Sequence, residues 1–169
     1  MARRKLEPAE TTIRDVFEEF LEEQERRLKP PTFRKYQSVI ELFAASMDDY
    51  AYQYLDKEEG ELWETLYNDP NSEPQGFCEM FPPEKIPGNV NEFLGYFMPR
   101  KVMCGKALLR ASGTVLRKLG KWLGEKGYIT RDQARSMTKR AGCATKELPA
   151  AVDLADMLNQ AASMRGQGL

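Results

Sequence analysis

One stretch of the chain, residues 103–129, constrains the fold most strongly. Its apolar residues recur at three- and four-residue steps, the spacing of one buried helix face: Leu108, Ala111, Val115, Leu119 and Trp122. Basic and polar residues with the same spacing fall on the opposite side: Lys106, Arg110, Thr114, Arg117 and Lys121. The stretch therefore predicts one long helix, with Trp122 in the core and a cationic stripe on the other face.

Three glycines, Gly113, Gly120 and Gly124, lie between the two faces of this predicted helix. An interior glycine costs about 0.5–1 kcal/mol of helix stability. Two interpretations follow: either another backbone packs closely along this edge, or the helix is kinked or broken there. Gly127 is the expected C-terminal cap.

Charge is divided unevenly along the chain. The 169 residues carry a formal net charge of −1. Residues 1–98 contain 11 basic and 21 acidic residues, a net charge of −10, whereas residues 99–169 contain 14 and 5, a net charge of +9. Such asymmetry points to a nucleic acid or another anionic partner, or to attraction between the two halves within the fold.

Two amphipathic helices are predicted before residue 50. Thr12 opens the first, whose glutamates are interpreted as a solvated face. Pro30-Pro31 is expected to end this helix, and Thr32 to cap the second. Arg34 and Lys35 then fall in a first turn, where a cation opposes the helix dipole. They either hold a phosphate or are ordinary surface residues.

Residues 48–87 form an insert that is both acidic and aromatic. Its aromatic side chains are expected to fill the core rather than to stack on bases. After the insert, Asn89 is expected to cap a helix that ends at Pro99. A capping-box pattern at Thr130 then predicts a short helix through about Ala141.

These patterns divide the chain into three parts. Residues 1–11 are expected to be a disordered arm, and residues 12–130 a helical domain that contains the insert. Residues 131–169 form a C-terminal helical extension whose second helix starts near Pro149.

No pattern in the sequence points to an enzyme, a metal site or a cofactor. The chain has no histidine, the commonest general base and a common metal ligand. Its three cysteines, Cys78, Cys104 and Cys143, are far apart and without a metal-binding spacing, as suits a reducing cytosol. Neither a phosphate-binding glycine loop nor a membrane-spanning apolar run occurs. A cytoplasmic, non-catalytic protein without metal or cofactor is therefore predicted.

Two stretches resemble the N-terminal core-binding domain of tyrosine recombinases, the phage integrases. The motif Thr32-x-x-x-Tyr36-x-x-x-Ile40-x-x-Phe43 is similar to that domain's second helix. Asn91-Glu92-Phe93-Leu94, followed by Leu119-x-x-Trp122-Leu123-x-x-x-Gly127-Tyr128-Ile129, is similar to its third and fourth helices. The resemblance covers residues 12–130 and implies a four-helix, SAM-like bundle that clamps DNA. The family's separate catalytic domain needs a His-x-x-Arg motif, which a chain without histidine lacks.

The predicted fold class is all-α: a four-helix SAM-like bundle with an acidic aromatic insert and two short C-terminal helices. The predicted function is a non-catalytic DNA-binding accessory module that contacts duplex phosphates through a basic helix face. The alternative is a protein-interaction or assembly module, in which the insert holds a partner and nucleic acid has no role. The candidate DNA-binding residues are Lys106, Arg110, Thr114, Arg117, Lys118, Lys121, Arg100, Lys101, Arg34 and Lys35. In a competing arrangement, the stripe pairs within the fold with Glu18, Glu22 and Glu25 of the first helix.

Overall fold

A computed structural model describes residues 6–71, 73, 75–102 and 105–143. Across these residues the chain is helical and contains no β-strand, which confirms the all-α class. The helix predicted near Pro149 lies outside the described residues. The division of the chain into three parts stays a prediction.

The α-helices and one π-helix run in chain order as follows: α1 (Ile13–Arg27), α2 (Pro30–Tyr50), α3 (Lys57–Tyr67), α4 (Phe77–Met80), α5 (Val90–Glu92), a π-helix (Phe93–Val102) that continues α5, and α6 (Lys106–Lys126). A further helix, which we call α7, covers residues 131–143. Short 3₁₀ segments lie between them: Ala51–Tyr54, Pro83–Lys85 and Pro87–Asn89.

The start of α1 is held by the predicted cap. The backbone N–H of Asp15 donates to the Thr12 hydroxyl (3.2 Å), and the Thr12 N–H donates to the Asp15 carboxylate (2.9 Å). The described part of the expected N-terminal arm contacts the rest of the molecule. Leu6 packs against the core, and the Ala9 N–H donates to the Met80 carbonyl (2.9 Å).

The helix α2 begins at Pro30, so the predicted start at Thr32 is wrong. A proline fits the first turn of a helix because its missing N–H would have no partner there and its φ is already helical. Pro30 and Pro31 therefore open α2. As a result, Arg34 and Lys35 lie beyond the first turn, where the dipole argument for a phosphate no longer applies. Both side chains are exposed.

The helix expected to end at Pro99 continues past it as the π-helix Phe93–Val102. The wider turns of a π-helix give room for a residue that has no N–H and a bulky ring. Asn89 does not cap this helix with its side chain. Instead, its amide donates to the Lys85 carbonyl (2.8 Å). Asn89 thus occupies the predicted cap position without a capping bond from its side chain, and the predicted end at Pro99 was wrong.

The predicted long helix is present as α6, and it runs without a break through its interior glycines. Gly127 ends it in the left-handed conformation (φ 79°). The Gly127 N–H bonds to the Gly124 carbonyl (3.2 Å), and the Tyr128 N–H bonds to the Leu123 carbonyl (3.0 Å). This is the Schellman pattern that glycine favours. The cap is confirmed, and it reverses the chain toward α7.

Aromatic rings from α1, α2, the π-helix and α6 form the centre of the core. The Phe43 ring lies 4.9 Å from Phe93 and 5.8 Å from Phe17, measured between centroids. Trp122 packs edge-on against Phe20 at 5.3 Å and is only 7% exposed. Its predicted core position is confirmed. Because this face of α6 points inward, its cationic side points outward.

The aromatic residues of the insert divide between core and surface. Phe77 and Phe81 are buried and stacked at 4.3 Å, and Trp63 packs against both rings. Tyr54 and Tyr67 are 56% and 81% exposed. The expectation that these aromatics fill the core is confirmed for the phenylalanines and wrong for the exposed tyrosines. A phenol tolerates exposure because its hydroxyl can bond water.

Candidate functional site

The helix α7 packs along the glycine edge of α6. A Cβ atom placed on Gly124 would lie 2.7 Å from the Cβ of Ala134, and one on Gly120 would lie 3.2 Å from Met137. Ordinary contacts of a Cβ are 3.4–4 Å long, so the glycines allow an approach that a side chain would prevent. The close-packing interpretation is thus confirmed for Gly120 and Gly124.

Local hydrogen bonds start α7 where the sequence predicts it. The Gln133 N–H donates to the Thr130 hydroxyl (3.1 Å), and the Thr130 N–H donates to the Gln133 side chain (3.0 Å). The helix does not end at Ala141 as expected but continues through Gly142 to residue 143. One interior glycine costs only about 1 kcal/mol, which burial of Met137 and Ala141 offsets.

A groove of about 1130 Å³ opens between α6 and α7. Gly124 and Ala134, where the two helices touch, line its base together with Tyr36 of α2. Its basic lining residues are Arg117, Lys118, Lys121, Arg131, Arg135 and Lys139. A single carboxylate, that of Glu125, lines it as well. The groove is therefore strongly cationic in a chain whose total charge is nearly zero.

The cations of the α6 wall are not neutralised by any of the described carboxylates. Within the described residues, no carboxylate forms an ion pair with Arg117, Lys118 or Lys121. On the α7 wall, Arg135 lies 3.9 Å from Asp132, but both side chains are almost fully exposed, so the pair is weak. Several uncompensated cations along one concave surface focus a positive potential that attracts anions.

Two glutamates of α1 bind the C-terminal end of α6. The Lys126 ammonium lies 2.7 Å from the Glu23 carboxylate and 3.8 Å from that of Glu19. The Trp122 indole N–H donates to Glu23, and the Tyr128 hydroxyl donates to Glu19. The interpretation of these two glutamates as part of a solvated face was therefore wrong. They join α1 to the end of α6, one turn beyond the cationic stripe.

These bonds shift the pKa values of the groups that make them. The hydrogen bonds from Lys126 and then from Trp122 lower the pKa of Glu23. The same Lys126–Glu23 bond raises the pKa of Lys126, and the bond to Glu19 raises the pKa of Tyr128. Each shift favours the protonation state that holds α1 against α6.

The glutamates expected to compete for the stripe do not reach it. Glu22 pairs with Arg26 of its own helix at 3.3 Å. Glu18 and Glu25 are exposed, and neither forms an ion pair with α6 in the described part of the chain. The acidic first helix therefore leaves the basic groove open.

Four of the predicted site residues line the groove: Thr114, Arg117, Lys118 and Lys121. Lys106 and Arg110 continue the stripe along α6 but do not line the groove. The Thr114 hydroxyl donates to the Arg110 carbonyl (3.1 Å), so the hydrogen expected to bind a ligand is used within the helix. The cationic stripe thus has one half inside the groove and one half outside it.

The remaining predicted residues lie elsewhere on the surface. The Arg100 guanidinium lies 5.4 Å from the centre of the Tyr96 ring, a cation–π contact. A hydrogen bond with Tyr50 raises the pKa of Lys101. Two further candidates do not line the groove: Arg34 and Lys35.

Sequence reasoning missed the α7 wall of the groove. Arg131, Arg135 and Lys139 recur every four residues, so the periodicity used for α6 would have placed them on one helix face. Tyr36 carries no comparable signal, because its helical spacing indicates only a core position. That the two basic faces meet is a result of the packing at Gly120 and Gly124.

Comparisons with protein-family models, with curated proteins and with solved structures found no match to this chain. The likeness to integrase core-binding domains is thus a hypothesis based on short motifs. In the part of the chain that the structure describes, no helix is long and apolar enough to cross a membrane. The same residues contain no cluster of His, Cys, Asp or Glu side chains suited to a metal ion.

Proposed function

We propose that this chain is a non-catalytic DNA-binding accessory module, built on a SAM-like bundle of the kind found in integrase core-binding domains. The observation that carries the proposal is the α6–α7 groove, with six basic side chains on two walls and one carboxylate. A nucleic-acid backbone is a regular row of anions, which a row of uncompensated cations binds by releasing counterions.

The groove favours contacts to phosphates over contacts to bases. Its two threonine hydroxyls are already bonded: Thr114 donates to the Arg110 carbonyl (3.1 Å) and Thr138 to the Ala134 carbonyl (2.7 Å). Charge, rather than a pattern of hydrogen-bond donors, is then the recognition element. Phosphate contacts position a protein on duplex DNA without reading its sequence. The proposed binding is therefore independent of sequence.

Salt dependence is the physical signature of such binding. Each phosphate contact adds about 0.9 to the slope of log affinity against log salt concentration on duplex DNA. If all six basic residues of the groove contact phosphates, the slope is about −5. The affinity then falls about a thousandfold between 50 and 200 mM salt.

The test compares two double variants that remove the same charge. Arg117→Gln with Lys139→Gln removes one cation from each wall of the groove. Arg34→Gln with Lys35→Gln removes two exposed cations of α2 that do not line it. Fluorescence anisotropy with a labelled duplex gives the affinity across a salt series. The groove variant should bind all duplexes more weakly, with a slope flatter by about 2, and the α2 variant should match the wild type.

Two results would contradict the proposal. In one, the wild-type chain shows no salt-dependent binding to duplex DNA. In the other, the groove and α2 variants lose affinity equally, which indicates nonspecific attraction to total charge. Thermal unfolding of each variant separates either result from a loss of fold.

A second role, in protein assembly, is favoured by a different observation. Tyr67, at the end of α3, is 81% exposed and follows two exposed carboxylates, Glu61 and Glu64. An exposed aromatic ring of this size is typical of an interface anchor rather than of a solvated helix face. This role would depend on α3, whereas DNA binding would depend on the groove.

A further inference from the structure

The helix α3 presents an acidic face that ends in an aromatic ring. None of the residues of Lys57–Tyr67 is buried, and the helix contacts the core through the partly buried Trp63 and Leu66. Glu61, Glu64 and Tyr67 follow one another at three-residue steps, so they lie along one side of the helix. All three side chains are exposed.

The charge of this region is the complement of the charge of the groove. Residues 48–75 contain nine carboxylates and one lysine. Glu59 uses its carboxylate to pair with Lys85 at 2.8 Å. Among the described residues, no ion pair joins the segment to the groove. One molecule therefore carries two complementary charged surfaces that do not pair with each other.

The two surfaces are also comparable in length. A helix is a convex rod, and the walls of the groove are the faces of two helices. The 11 residues of α3 make a rod about 16 Å long. The described part of α7, residues 131–143, forms a wall about 20 Å long. A helix with apolar and charged anchors laid in a groove is a recurring recognition mode.

We propose that the α6–α7 groove of one molecule receives α3 of a second copy of this chain. Glu61 and Glu64 pair with the cations of the walls, and the Tyr67 ring lies at the base between them, where a cation–π contact adds to the attraction. The inference rests on the proposed assembly role and does not require DNA binding. It identifies the partner in that role as a second copy of this chain.

This interface has a definite symmetry. Because α3 and the groove are different surfaces of one chain, each contact leaves one free α3 and one free groove. Such contacts build open chains or closed rings, of which a two-fold dimer with two reciprocal contacts is the smallest. Because the attraction is between exposed charges, salt weakens it. Self-association should therefore grow with protein concentration at low salt and disappear at high salt.

The decisive experiment mixes two variants, each lacking one half of the interface. The first, Glu61→Gln with Glu64→Gln and Tyr67→Ser, keeps the groove but loses the face of α3. The second, Lys121→Gln with Lys139→Gln, keeps α3 but loses charges from both walls. Sedimentation velocity of the full chain at low salt should show each variant alone as a monomer. Their equimolar mixture should form a heterodimer that grows no further.

A matched control removes two carboxylates outside α3. Glu18→Gln with Glu25→Gln neutralises exposed residues of α1 and should assemble like the wild type. The single variant Tyr67→Ser, which changes a mostly exposed side chain, should weaken assembly even if the triple variant does not fold. Circular dichroism monitors the fold of each protein.

Three outcomes would overturn the inference: a wild-type chain that stays monomeric at low salt, a control that loses assembly like the interface variants, or a mixture of folded variants that stays monomeric. A groove occupied by another part of its own chain would give the first of these. The DNA titration separates the two proposals, because the α3 variant keeps the whole groove. If assembly fails and this variant still binds duplex DNA with the wild-type slope, only the inference about self-association is lost.

Discussion

Replacing Gly124 by alanine sets two effects of known direction against each other. In the interior of a helix, alanine is more favourable than glycine by about 1 kcal/mol. At this position, however, the new methyl carbon would lie 2.7 Å from the Cβ of Ala134, whereas ordinary contacts begin at 3.4 Å. The helices α6 and α7 would have to separate by about 0.7 Å at their closest point.

Overpacking of this kind costs about 1–3 kcal/mol. The clash therefore cancels or exceeds the gain in helix propensity, and Gly124→Ala should lower the free energy of unfolding by up to about 2 kcal/mol. For a chain of this size, 1 kcal/mol corresponds to a change of about 2–4 °C in the midpoint of thermal unfolding. Circular dichroism with urea and with heat measures both quantities.

The matched control is Gly60→Ala in α3. Gly60 is also in a helix interior, but a Cβ there would meet no atom within 4 Å. This variant should be more stable than the wild type by about 0.5–1 kcal/mol. The double variant Gly124→Ala with Ala134→Gly moves the methyl group from one helix to the other. It should recover part of the lost stability, because the two sites are coupled through a single contact.

If Gly124→Ala stabilises the protein as much as Gly60→Ala, the reasoning is refuted. That result would mean that α7 does not lie against Gly124 of α6. The α7 wall of the groove would then be misplaced, and the proposed binding surface would lose half of its charge.

Trp122→Ala should lower the free energy of unfolding by about 3–5 kcal/mol, because it empties a buried site beside Phe20; unchanged stability in urea would show that this face of α6 is not buried. Glu23→Gln should change how steeply the protein loses stability as the pH falls. The folded-state pKa of Glu23 lies below its ordinary value of 4.5, so its contribution is present above that value and is lost as the pH falls through the folded pKa. The variant should show a flatter decline of the unfolding midpoint in this window than the wild type, and identical declines would contradict the contact with Lys126.

The sequence by itself determined those helix ends that are fixed by residues close to them in the chain. The caps at Thr12, Thr130 and Gly127 are correct because each one is a hydrogen bond or a backbone conformation within a few residues of chain. The inward face of α6, with Trp122, was also predictable because helical periodicity identifies it.

Proline signals were less decisive, because the same residue serves two purposes. Pro30 follows the end of α1 as expected, but it also opens α2, since the first turn of a helix does not need its missing N–H. Pro99 was expected to end a helix but lies inside the π-helix, whose wider turns hold it. Whether a proline stops, starts or widens a helix depends on the packing around it.

The candidate site was only half determined by the sequence. The cationic face of α6 follows from spacing alone, because Arg117 and Lys121 lie opposite the apolar stripe. The groove exists only because α7 packs against Gly124 and brings a second basic face beside the first. Likewise, only the fold decided that Glu23 binds the end of α6 rather than solvent. Periodicity assigns each residue to a side of its own helix, whereas the partner of that side is set by contacts between residues far apart in the chain.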